Sequence, residues 1–75
     1  MMYLNHNGEI VKADTPEELA RALWQSRSDT YPTLQEWMAA NVRLAMQQNA
    51  AHLRTDTVEH HISDMLSANL IERVE

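Results

Sequence analysis

The stretch from Thr33 to Ala51, TLQEWMAANVRLAMQQNAA, limits the possible folds of this chain more than any other. Its spacing predicts the longest helix. At about 100° per residue, Leu34, Trp37, Met38, Val42 and Ala45 share one face, with Leu44 at its edge. Ala39 and Met46 widen that face on one side and Ala40 on the other, while Glu36, Arg43 and Gln47 form the clearly polar strip. A surface helix needs one apolar stripe; this one needs cover on more than one side, from the other segments or from a partner. Seventy-five residues make one small domain, 1–75, which buries only about 60% of the surface its unfolded chain exposes. Asn41 falls near the centre of the apolar face. A buried amide without partners costs about 1–3 kcal/mol. It is therefore expected to bond a backbone group, with the 52–55 connector in reach, or to bridge a subunit interface.

The flanking segments supply the cover. Asn7-Gly8, within MMYLNHNGEIVKAD, is a strong hairpin signal, because a type I′ turn needs positive φ at both central residues. A two-residue turn pairs His6 with Glu9, Asn5 with Ile10, Leu4 with Val11 and Tyr3 with Lys12. Met2, Leu4, Val11 and Ala13 then face inward, and Tyr3, Asn5, Ile10 and Lys12 outward. Thr15-Pro16-Glu17-Glu18 and Thr33-Leu34-Gln35-Glu36 both carry the T-x-x-E capping pattern, so a helix starts after each threonine. The first runs to about Arg27 and buries Leu19, Ala20, Leu23 and Trp24; Tyr31-Pro32 ends the intervening turn. Residues 52–55 form an extended connector or short strand with Leu53 inward. Asp56 or Thr57 caps a third helix, with Glu59 placed to complete a box, and Val58, His61, Ile62, Met65 and Leu66 on its buried side. Asn69 is a left-handed stop that folds Leu70 back on Met65. Residues 70–74 alternate like a strand. The fold class is α+β: a hairpin packed on three helices, with a short third strand at the C-terminus.

The hairpin followed by ADTPEEL, and RTDT-x-E leading into a helix with a closing apolar pair, resemble small proteins encoded in bacterial genomes and phage-like elements. That group has no established activity, so the resemblance implies a compartment and no site residues.

Chemistry is sparse. With no cysteine, neither disulfides nor thiolate metal sites are available. Asp56, His60 and Asp64 recur at i, i+4 and i+8 on one face of the third helix, a workable half-site for zinc. That face is also the one turned to solvent, and no metal or cofactor is expected there. His61 is expected as a packed, hydrogen-bonded ring. Glu17 and Glu18 are explained by capping, the serines lack a nucleophile context, and the single glycine is used in the hairpin. No enzyme activity is expected. Eleven acidic against six basic residues give a net charge of −5, which disfavours direct nucleic-acid binding. No apolar run reaches the roughly 18 residues of a membrane span, and the expected location is cytoplasmic.

The expected function is a small non-enzymatic interaction module, a homodimer or an adaptor for one protein partner. Its interface would draw on Trp37, Asn41, Leu44 and Met46 from the central helix and on Tyr3 and Ile10 from the hairpin. The alternative is an acidic inhibitor that mimics nucleic acid on a partner's binding surface. Such mimicry needs Glu9, Asp14, Glu17 and Glu18 to form one surface with Asp56, Glu59 and Asp64.

Overall fold

Three threonines start the three helices. The Oγ1 atoms of Thr15, Thr33 and Thr57 each accept a hydrogen bond, at 3.1 Å, from the backbone N–H three residues on. In the computed structural model, which describes residues 1–5 and 8–74, these caps open α1 (Pro16–Gln25), α2 (Leu34–Asn49) and α3 (Val58–Ser67). Glu18 closes its capping box one residue early, on the N–H of Asp14 rather than of Thr15. At α3 the cap is Thr57, so His60 rather than Glu59 occupies the third helical position.

The helix ends differ from one another. α1 stops at Gln25, two residues short of the expected Arg27, and passes into turns closed by Arg27 N–H to Trp24 O and Tyr31 N–H to Arg27 O. The Trp24 indole N–H donates to Tyr31 O at 2.7 Å and pins this connection against the helix. α2 ends at Ala50, held at φ 51°. α3 ends as expected: Asn69 is left-handed at φ 61°, Leu70 N–H reaches Met65 O, and Asn69 N–H reaches Leu66 O. That pair of bonds is a Schellman motif.

The strands β1 (Met2–Asn5), β2 (Ile10–Lys12) and β3 (Ile71–Arg73) form an antiparallel sheet in the order β2-β1-β3, so the expected third strand joins the hairpin. The hairpin register differs from the expected one. Tyr3 pairs with Val11 and Leu4 with Ile10, one residue out of step with a two-residue turn. Gly8 N–H donates to Asn5 O and Asn5 N–H to Glu9 O, so the loop holds three residues and ends on Gly8 at φ 84°. A left-handed glycine closing a three-residue loop is the next commonest hairpin solution. The expected positive φ of Asn7 and the pairing of His6 lie outside the described residues.

One slip exchanges the faces. Tyr3, expected outside, packs with Val11 on the core, whereas Met2 and Leu4, expected inside, share the outer face with Ile10. α1 and α3 lie on the inner face, and α2 packs against α1. Their core joins Leu19, Ala20 and Leu23 of α1 to Trp37, Met38 and Ala45 of α2 and to Ile62 and Met65 of α3. Ala13, Leu53, Leu70 and Ile71 close it from the connections and β3. Residues 52–55 form a connector, with Leu53 turned inward as expected. Among the described residues no helix is long and apolar enough to cross a membrane.

Candidate interaction surfaces

His61 organises the polar groups around α2. Its ring is fully buried; Nδ1 lies 2.8 Å from Arg54 O, Nε2 lies 3.3 Å from Asn41 Nδ2, and the Trp37 ring meets it edge-on at 5.7 Å. Asn41 therefore reaches the 52–55 connector through the imidazole rather than directly. Its amide also approaches Met65 Sδ at 3.9 Å. Burial pushes the His61 pKa below its ordinary value, against the opposing effect of the hydrogen bond that Nδ1–H donates to the Arg54 carbonyl.

Two connected hollows lie beside this centre. A groove of about 250 Å3 runs along α2 between Trp37, Asn41, Leu44 and Gln47, spaced so as to share one helix face, and Arg27 and Tyr31 of the pinned connection. A smaller recess of about 40 Å3 meets it along Arg27, Trp37, Asn41 and Leu44 and is otherwise walled largely by Leu23, Met65, Leu70 and Ile71. Three of the expected interface residues, Trp37, Asn41 and Leu44, thus converge on both hollows. Met46 does not line them and stands 43% exposed elsewhere on α2. Arg27 was not singled out by sequence, because nothing local marks a turn arginine as facing a helix that begins several residues later.

The second surface is the outer face of the sheet. Strand alternation puts Met2 and Leu4 of β1, Ile10 and Lys12 of β2, and Glu72 with the following Val74 on this side. Ile10 is 56% and Val74 45% exposed, and Met2 and Leu4 stand outside the core cluster. Ile10 is where the sequence placed it; Tyr3 is not.

Asp64 and His60 of α3 are paired with residues that precede the helix. Arg54 grips Asp64 with both arms of its guanidinium, at 2.9 and 3.0 Å, and donates its backbone N–H to the same carboxylate. This holds the Asp64 carboxyl down at about 2. The His60 ring lies 3.0 Å from both oxygens of Asp56 and lowers that carboxyl as well. Glu17 pairs with Arg21, and Asp14 lies 3.7 Å from the Met1 amino group. Four of the seven acids that nucleic-acid mimicry would align thus have a cation or histidine beside them. Among the described residues no three His, Asp or Glu side chains are placed to hold a metal ion. Comparison with protein families, with curated proteins and with solved structures finds no match for this chain.

Proposed function

We propose that this chain is a non-enzymatic interaction module that associates reversibly with a second copy of itself through the outer face of its sheet. The observation that carries the reading is the outer apolar row of half-buried Met2 and Leu4 with exposed Ile10 and Val74, opposite the face that Tyr3 and Val11 turn to the core. Charge supports a second copy as the occupant. Lys12 lies on one edge strand opposite Met2, and Glu72 on the other opposite Leu4. A two-fold axis along β1 lays β2 of one copy over β3 of the other. Lys12 of one copy then comes within one pleat repeat, about 7 Å along the strand, of Glu72 of the other. The alternative two-fold, across the strands, brings like charges together.

The size of the face sets the strength. Three strands at about 4.8 Å and four residues at about 3.3 Å give roughly 200 Å2. A standard interface takes about 800 Å2 from each partner, so the pairing is weak and concentration-dependent. The lack of cysteine supports a thiol-reducing location such as the cytoplasm. Light scattering should give a mass that rises from monomer towards dimer between about 20 μM and about 1 mM, the span of weak affinities. Ile10→Lys should abolish the rise and leave the helical circular dichroism intact, whereas Leu44→Asp should leave the rise unchanged. A monomer mass at the highest concentration overturns the proposal.

A further inference from the structure

The cations of this acidic chain are used unequally. Arg21 is held by Glu17 and Arg54 by Asp64. Arg27 and Arg43 make no side-chain ion pair or hydrogen bond among the described residues, and both line the groove beside α2. No acidic side chain lines either the groove or its recess. A chain of net charge −5 thus has one concave surface where the local charge is positive. That surface shares Arg27, Trp37, Asn41 and Leu44 with the largely apolar recess.

We propose that this groove binds an acidic segment of a partner protein, with an aliphatic side chain in the recess and flanking carboxylates on Arg27 and Arg43. The chemistry of each part fits that occupant. A guanidinium presents a planar fork that matches a carboxylate. On the same wall the Gln47 amide can donate to and accept from an extended backbone, and Asn41, whose amide nitrogen is engaged with His61 and Met65, can accept through its oxygen. The recess offers roughly three times the space a single water needs, enough for one short aliphatic group and no more. At about 250 Å3 the groove is smaller than the roughly 300–1,000 Å3 of a typical small-molecule pocket, and it is open along its length. A nucleic acid fits less well. Its backbone brings about one charge per 1.7 Å to a site with two cations on a net-negative chain. The groove is separate from the outer sheet face, so this inference does not depend on self-association.

Nuclear magnetic resonance titration of the full chain tests it, with an acetylated, amidated heptapeptide whose central leucine is flanked by aspartate and glutamate. The expected result is shifts at the Trp37 indole, the Asn41 side-chain amide and the Arg27 and Arg43 Nε–H groups, weakening as salt rises. Arg27→Gln and Arg43→Gln, both at exposed positions, should each reduce affinity about 2–5-fold, as exposed ion pairs do, and the double variant about tenfold. Replacing the central leucine with glycine should also weaken binding. Equal shifts from glutarate at the same concentration, or tighter binding of hexathymidylate, overturn the proposal in favour of a general anion site or a nucleic-acid site. Concentration-dependent shifts at the same groups without peptide overturn it in favour of a second copy as occupant. Peptide affinity unchanged in the double variant, with its native spectrum retained, overturns it outright.

Discussion

The neighbours of His61 admit only one form of its ring. With Nδ1–H donating to Arg54 O, Nε2 is left to accept from the Asn41 amide, so the buried imidazole is neutral. A second proton, on Nε2, would face the Asn41 amide N–H. Burial holds the folded-state pKa below its ordinary 6.5. The sign follows from linkage: above the unfolded value the ring is neutral in both states, and below it the unfolded chain takes up the proton more readily. Stability should therefore be full near pH 7.5 and decline as pH falls below about 6.5. The thermal midpoint measured between pH 7.5 and 5 should drop, and His61→Gln should flatten that dependence. A midpoint that holds steady in the parent protein would mean that the ring protonates without penalty. The sequence placed His61 on the buried side of its helix and Asn41 near the centre of an apolar face; His61 is fully buried and Asn41 half-buried. Their contact with each other was not readable, because it depends on how α2 and α3 are rotated, which neither helix pattern specifies alone.

The helix starts were the most readable elements, since each cap is a local contact over three residues and needs no tertiary information. The hairpin register was the least readable. Met2 and Leu4 compete with Tyr3 for the core, and Ile10 competes with Val11, so strands of three and four residues carry apolar groups on both faces. Asn-Gly fits both a two-residue and a three-residue loop, and nothing in the alternation decides between them. The end of α2 is a left-handed alanine. An L-residue there costs about 1–2 kcal/mol, and Ala50 is exposed, with no packing to lose. Ala50→Gly should raise stability by roughly 0.5–1 kcal/mol after the extra freedom of the unfolded glycine is subtracted. Urea denaturation should show a higher midpoint at unchanged slope.

On the scale of the molecule, α1, α2 and α3 all lie between strands that pair only when the last described strand meets the first. Ile71 is 3% exposed and belongs both to that strand and to the recess wall. Ile71→Ala should cost about 2–5 kcal/mol. For a 75-residue chain the total stability is roughly 4–11 kcal/mol, so this one change removes a large share of it. Circular dichroism and tryptophan fluorescence should report one coincident transition, shifted to lower temperature; separate transitions would mean that the sheet and helices unfold independently. The groove could not be read from sequence, since its two arginines come from a turn and a helix that only the pinned Trp24 connection brings together. The strand order β2-β1-β3 also has a consequence for synthesis in the cell. A hairpin forms in about 1–10 μs, but a ribosome adding about 5–20 residues per second needs several seconds to reach β3. Throughout that interval β1 has one edge without its strand. A neighbouring nascent chain that has already made its own β3 can occupy that edge, so crowding on one messenger favours exchange of the last strand between copies.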